Sequence, residues 1–201
     1  KVNDYFQAQS FVYATAYNFN HFTPVTTNTW FTVLPNDQLR FDISYDRETF
    51  EDITALYDRI LVNSGSFSFD IKPNRFWFFS AKYKRSRYSD DNNQNTAFAK
   101  IEYRFNQTPY IKMYYNFYFS DWSEQRDHGY FNPWTIQSNT LGVYASKDIT
   151  KKLFVECQVS SGYEVQNPKS NHPVYFGALG ISYRMSRNWR MFVRGEYFNA
   201  F

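Results

Sequence analysis

The feature that most constrains this chain is a strict alternation of apolar and polar side chains over runs of about ten residues. In the clearest run, apolar side chains occupy every second position: Ile111, Met113, Tyr115, Phe117 and Phe119. Successive residues of a β-strand point to opposite faces of a sheet, so this run predicts a strand with one apolar and one polar face. Similar runs recur from Leu39 to Phe198.

The alternation predicts eleven strands, near residues 5–20, 27–34, 39–47, 63–72, 76–86, 96–105, 110–120, 137–149, 153–163, 174–185 and 189–199. Tight turns rich in Pro, Asn and Asp follow some strands, such as 35–38 and 72–75. Long polar connections follow the others, near residues 48–62, 87–95, 121–136 and 164–173. The stretch from Thr49 to Ile60 is the most helix-like, and we expect a loop with at most one helical turn there.

Long strands joined alternately by short turns and long loops are typical of outer-membrane proteins, so we predict an all-β, transmembrane, antiparallel up-and-down β-barrel. A soluble β-sandwich or lipocalin also alternates, but with its apolar face inward. Strand length, strand number and aromatic residues at the strand ends favour the membrane. The predicted aromatic girdle consists of Trp77, Tyr103, Tyr110, Tyr175, Trp189 and Tyr197.

The polar faces of the strands should line the lumen, because Arg or Lys facing lipid at mid-depth costs about 2–4 kcal/mol. Charges of both signs lie on this face. The predicted lumen and substrate path comprises Arg40, Asp42, Asp70, Lys82, Lys84, Lys100, Glu102, Arg104, Lys112, Tyr114, Tyr118, Tyr144, Glu156, Arg190, Arg194 and Glu196.

Composition argues against several other functions. The net charge is +3, from 22 basic and 19 acidic residues without a basic cluster, so we predict no nucleic-acid partner. The single cysteine, Cys157, gives neither a disulfide framework nor a metal-binding spacing, and we expect it on the apolar face beside Val155 and Val159. We predict no metal, no cofactor and no catalytic site.

Whether the number of strands is even or odd indicates whether the domain is complete. We expect residues 1–201 to form a single domain, incomplete at its C-terminal end. With eleven strands, the last would end on the long-loop side, whereas closed bacterial barrels usually have an even number of strands. At least one further strand is therefore expected after Phe201.

Two short stretches carry a family resemblance. Arg87-Tyr88-Ser89-Asp90-Asp91-Asn92 lies at a strand end, and Gly129-Tyr130-Phe131-Asn132-Pro133 precedes a later strand. Their order resembles the C-terminal barrels of tetratricopeptide-linked exopolysaccharide export porins, of the cellulose and poly-N-acetylglucosamine export type. The resemblance spans residues 39–201. It implies a barrel of about sixteen strands, a periplasmic helical-repeat scaffold, and a polysaccharide supplied by an inner-membrane synthase.

The leading hypothesis is an exopolysaccharide conduit in the bacterial outer membrane, a passive channel whose partners are the lipid bilayer and a hydrated polymer. Three alternatives stay open. The first is a general porin or small-solute channel. The second is a barrel hydrolase, for which Ser120 with His128, or Ser160 with His172, would be the candidate pair, although no flanking motif supports either. The third is a structural or adhesive barrel with a plugged lumen.

Overall fold

The computed structural model of this 201-residue chain describes residues 5–17, 21–49, 52–126, 132–167, 170–186 and 188–199. These residues contain eleven strands and one short helix. In chain order they are β1 (Phe6–Ala14), β2 (Val25–Asn36), β3 (Leu39–Thr49), α1 (Ile53–Tyr57), β4 (Leu61–Ile71), β5 (Trp77–Tyr88), β6 (Asn93–Gln107), β7 (Tyr110–Trp122), β8 (Thr135–Asp148), β9 (Leu153–Asn167), β10 (Ser170–Arg184) and β11 (Arg190–Phe198).

Every strand pairs antiparallel with its neighbours in sequence, which gives one sheet in the order β1 to β11. The predicted all-β, up-and-down antiparallel sheet of eleven strands is confirmed. The sheet is not closed, however, because β1 and β11 lie at its two edges in the described part of the chain. Among the same residues, no helix has the length and apolarity needed to cross a membrane.

The register of the strands separates the side chains into two faces. Phe41 lies opposite Phe69, and the next pair, Asp42 and Ser68, points to the other side. Apolar side chains on one face are exposed, with Ile43 at 55% and Leu141 at 53%. We call this the outward face.

The other, inward face is polar and sheltered. Ser64, Ser86 and Ser120 on this face are each at most 2% exposed. The hydroxyls of Ser64 and Ser86 are hydrogen-bonded to each other, and the Ser120 hydroxyl accepts a hydrogen bond from the Gln94 amide. A water-soluble sheet packs its apolar face into a core and leaves its polar face wet. This sheet is inverted in that respect, which is the arrangement expected of a membrane barrel.

The connections differ between the two ends of the sheet. The short turns lie at one end, which we call the short-turn end: at residues 37–38, 72–76, 108–109 and 149–152, and between the end of β10 and the start of β11. Asn side chains build some of these turns: the Asn74 Oδ1 atom accepts hydrogen bonds from the backbone N–H groups of Phe76, at 2.8 Å, and Trp77, at 3.1 Å. Such turns fix the register of the hairpins they close.

At the opposite, long-loop end, the predicted long connection near residues 164–173 is wrong, and the one near residues 87–95 is shorter than predicted. β9 extends to Asn167 and β10 begins at Ser170, while the β5–β6 connection is residues 89–92, because the strands continue through polar sequence. Residues there still pair in the ladder, as Asn171 does with Val165. A polar side chain does not prevent its backbone from completing the ladder of hydrogen bonds, so composition alone misplaces these strand ends.

Candidate functional site

All of the predicted lumen residues lie on the inward face according to the strand register. The structure brings several of them into direct contact. Near the short-turn end, the Arg40 guanidinium contacts the Asp42 carboxylate at 2.8 Å, and the Thr32 hydroxyl donates to the same carboxylate at 2.5 Å. Asp70 is paired with Arg40 in the ladder between β3 and β4.

A second group of charges centres on Glu102 of β6. Its Oε1 atom lies 2.5 Å from the Lys100 Nζ atom and 2.8 Å from the Lys112 Nζ atom. The carboxylate side chain is only 14% exposed, so the two ammonium groups provide much of its solvation. Glu102 thus holds Lys100 and Lys112 close to the inward face of the sheet.

Each cation near this group also lies over an aromatic ring. The Lys100 Nζ atom lies 5.8 Å from the centroid of the Tyr114 ring, and the Lys112 Nζ atom lies 5.6 Å from that of Tyr144. The guanidinium carbon of Arg104 lies 4.9 Å from the centroid of the Tyr110 ring. Cation–π contacts of this length hold the three cations close to the inward face of the sheet.

A third group reaches across β10. The Tyr144 hydroxyl donates to the Glu156 carboxylate at 2.8 Å, and Arg194 of β11 lies 3.6 Å from the same carboxylate. Arg194 also contacts Glu196 at 2.5 Å. Gly180 lies between Glu156 and Arg194 in the ladder, and an added Cβ there would be 2.7 Å from the Glu156 Oε1 atom. Because Gly180 has no side chain, Glu156 and Arg194 can reach each other across β10.

Tyr114 crosses a neighbouring strand in the same way. Its ring lies flat over Gly142 of β8, where an added Cβ would be 2.3 Å from a ring carbon. Its hydroxyl accepts a hydrogen bond of 2.7 Å from Gln158 of β9, and the residue is 5% exposed. Tyr114 therefore packs against the inward face of the sheet and does not project away from it.

These cross-strand contacts involve residues that the sequence analysis did not select: Gly142, Gln158 and Gly180. Glycine in a strand interior often marks a close approach of another group, and that was the available signal. The other predicted residues contribute separately. Lys82 is exposed, Lys84 lies 3.8 Å from Glu48, and Tyr118 is half-buried on β7.

The predicted aromatic girdle is placed in part on the outward face. Trp77 and Tyr103 lie there at the short-turn end, with ring centroids 4.7 Å apart. Tyr175 and Tyr197 are outward-facing near the long-loop end, and Trp189 is 73% exposed in the β10–β11 turn. Tyr110 lies on the inward face over Arg104, because the alternation that turns Ile111 outward turns Tyr110 inward.

The long-loop end carries a folded cap, formed by α1 and the strand ends beneath it. Asp52 caps α1 by accepting a hydrogen bond of 2.8 Å from the Thr54 N–H group. The cap has a small apolar core, and the core residues that belong to strands point to the inward face. The core comprises Ala55, Ile60, Val62, Tyr88 and Trp122. The β3–β4 connection therefore lies over the inward face at this end and does not extend freely into solvent.

One buried amide joins two connections of this cap. Asn92 is fully buried, its Nδ2 atom donates to the Glu124 carbonyl oxygen at 2.9 Å, and its Oδ1 atom accepts from the Ser123 hydroxyl and the Glu124 N–H group. Asn92 belongs to the first stretch of the family resemblance, whereas residues 129–131 of the second stretch lie outside the described residues.

The described residues bear on the metal prediction and on one member of the candidate pair Ser120 and His128. No group of three or more His, Cys, Asp or Glu residues suited to a metal occurs in them. Ser120 is completely buried and accepts a 3.0 Å hydrogen bond from Gln94, while His128 lies outside the described residues.

Comparison with known proteins identifies a shared fold. No protein-family profile matches the sequence, and no curated protein is significantly similar to it. A solved structure described as a bacterial polysaccharide outer membrane secretin matches with a TM-score of 0.74 and 15% identity. The match covers 90% of this chain and 63% of that one, so this chain spans less than two thirds of its length.

The contact between Tyr114 and Gly142 gives the first prediction. Gly142→Ala should displace the Tyr114 ring into the enclosed space, lower single-channel conductance, and destabilise the fold by about 1–3 kcal/mol through overpacking. Conductance in planar bilayers and thermal unfolding measure the two effects. Gly177→Ala is the matched control, since an added Cβ there has no atom within 4 Å. Equal conductance in both variants would contradict the assigned position of Tyr114.

The apolar core of the cap gives the second prediction. Trp122→Ser should release α1 from the inward face, because it removes the largest side chain of a small core. We expect higher conductance and faster proteolysis within residues 50–60, measured in planar bilayers and by limited digestion. Trp134→Ser serves as the control, because Trp134 is 43% exposed and lies outside this core. A Trp122→Ser variant with wild-type conductance would show that the cap does not narrow the mouth.

Proposed function

We propose that this chain forms part of a closed β-barrel in the bacterial outer membrane and conducts an exopolysaccharide outward through its polar lumen. The observation that carries the proposal is the inversion of the sheet: exposed apolar side chains cover one face, and paired charges lie on the sheltered face. Apolar side chains facing acyl chains and polar side chains facing water satisfy both faces at once. The likeness to a polysaccharide outer membrane secretin supports the same assignment.

Closure of the barrel follows from the cost of open edges. Within a bilayer, each unpaired backbone N–H or C=O group costs several kcal/mol, so spanning sheets close on themselves. We propose that further strands pair with the edges formed by β1 and β11 and close the barrel. We propose a barrel of about sixteen strands, the number implied by the family resemblance.

The lining suits a hydrated polymer better than a tightly held ligand. The acids on the inward face already hold cations, as Glu102 holds Lys100 and Lys112, so fixed ions should not trap a passing chain. Half-buried inward-facing side chains such as Ser66, Ser68 and Tyr118 offer many weak contacts along the path. We propose that the protein performs no chemistry and that transport depends on partners which supply the polymer.

We propose two such partners from the family resemblance: a periplasmic helical-repeat scaffold and an inner-membrane synthase. The lipid bilayer is the third partner, in contact with the outward face. A general porin would share the bilayer and the lumen, but it would need neither of the other two.

The test uses the two lysines that lie beyond the Glu102 group. Lys82→Glu with Lys84→Glu should shift ion selectivity toward cations, because both side chains lie on the inward face of β5. In the native host, we expect the same variant to reduce polymer at the cell surface while protein level in the outer membrane stays constant. Planar-bilayer reversal potentials and polymer quantification measure these outcomes.

Lys147→Glu is the control, because Lys147 lies on the outward face at the short-turn end. If the double variant alters neither selectivity nor export, these lysines do not line a conducting path. If it alters selectivity while deletion of the gene leaves surface polymer intact, the protein is a small-solute channel and the polysaccharide assignment is wrong.

A further inference from the structure

Charged residues are rare on the outward face, and three arginines account for most of them. The strand register places Arg47 of β3 and both Arg85 and Arg87 of β5 on this face, near the long-loop end. In the described strands, the other charged residues of the outward face are Asp121 on β7 and Lys147 at the short-turn end. All three outward-facing arginines thus lie within three neighbouring strands.

The ladder fixes how close these arginines are. Arg47 and Arg87 both pair with Asn63 of β4, so they flank it in one row. Strands lie about 4.8 Å apart and alternate residues about 7 Å apart, so the three Cα atoms form a triangle with sides of roughly 7–12 Å. Arginine side chains span that distance, and their guanidinium groups can therefore converge on a single anion.

Tyr45 of β3 and Tyr83 of β5 are the last outward-facing aromatic residues before Arg47 and Arg85, and Tyr115 of β7 makes the same kind of hydrogen bond as these two. The hydroxyls of Tyr45, Tyr83 and Tyr115 donate to Asn63, Asn95 and Asn139, respectively, at 3.0, 2.8 and 2.6 Å. Each of these asparagines lies two residues nearer the long-loop end than the residue paired with its tyrosine. Tyrosines with an apolar ring and a hydrogen-bonded hydroxyl are typical of the membrane interface. The arginines therefore lie at the level of lipid headgroups.

The outward face also has a notch beside the arginines. Gly65 of β4 pairs with Tyr45 on one side and Arg85 on the other, and no atom lies within 4 Å of where its Cβ would be. The absence of a side chain at Gly65 therefore leaves a depression in the outward face between Tyr45 and Arg85. A headgroup or the start of an acyl chain can enter this space, which is polar on one side and aromatic on the other.

We propose that Arg47, Arg85 and Arg87, together with the notch at Gly65, bind a phosphate-bearing lipid of the bilayer leaflet at the long-loop end. Guanidinium groups match phosphate oxygens in pairs of hydrogen bonds, which makes phosphate the anion of choice for such a cluster. The inference rests on the proposed position of the protein in a membrane. It does not depend on what the lumen conducts.

Nearby acids leave the cluster available. Arg87 lies 3.7 Å from Asp91 of the β5–β6 connection, but both side chains are more than 70% exposed, so this contact is weak. Asp121 is hydrogen-bonded to Asn95, which lies between it and Arg85 in the ladder. A phosphate therefore meets a net positive surface over β3 to β5.

The test measures lipid binding by the full-length protein, purified in detergent, using native mass spectrometry. Diphosphoryl lipid A is the probe, with phosphatidylcholine and inorganic phosphate as comparisons. We expect retention of lipid A in the wild type and about fivefold weaker binding in Arg85→Gln. The triple variant Arg47→Gln, Arg85→Gln, Arg87→Gln should bind roughly 100-fold more weakly. Lys147→Gln should bind as the wild type does, and conductance in planar bilayers should be the same in all variants.

Several results would overturn the proposal. Wild-type affinity in the triple variant, or in Arg85→Gln if the triple variant does not fold, would exclude these arginines as the site. Inhibition by inorganic phosphate at the concentration of the lipid would mean that the site binds an ion and not a lipid. A changed oligomeric state with unchanged lipid affinity would assign the patch to a contact between copies. Altered conductance would instead bear on the proposed channel, so the two failures are distinguishable.

Discussion

The constraint on which the rest of this structure depends is that a continuous ladder of backbone hydrogen bonds must hold an inverted sheet together. The strands pair in simple sequence order from β1 to β11, and the side chains contribute little apolar core. The one apolar cluster of buried residues in the described chain lies in the cap around α1. In the membrane setting that we propose, the ladder and the lipid around the outward face would supply the stability, because water cannot compete there for backbone groups.

The sequence determined the faces well because side-chain alternation and backbone geometry share a period of two. Knowing that Ile111 points outward places Arg104 and Tyr144 inward through the register, even though they lie on different strands. The same rule also shows why Tyr110 does not belong to the girdle. Its aromatic character suggested an interfacial position, but the period assigns it to the opposite face.

Other features could not be read from the pattern because they depend on several strands at once. The ion pair between Glu156 and Arg194 exists only because Gly180 separates them, and a single sequence does not show that three strands place these residues in one row. The inward fold of the β3–β4 connection has the same origin, since its apolar partners, Tyr88 and Trp122, come from other strands. The polar ends of β9 and β10, near the connection between them, were predicted to be a loop because their composition resembles that of a loop.

The most direct measurement of the central claim uses the single cysteine. Cys157 is exposed on the outward face and is paired with Ala145 and Leu179. A fluorophore attached to Cys157 in the protein reconstituted into vesicles should be quenched by lipids that carry a spin label on the acyl chain. A soluble quencher should have little effect, because this face contacts acyl chains. Quenching by the soluble reagent but not by the labelled lipids would contradict the account.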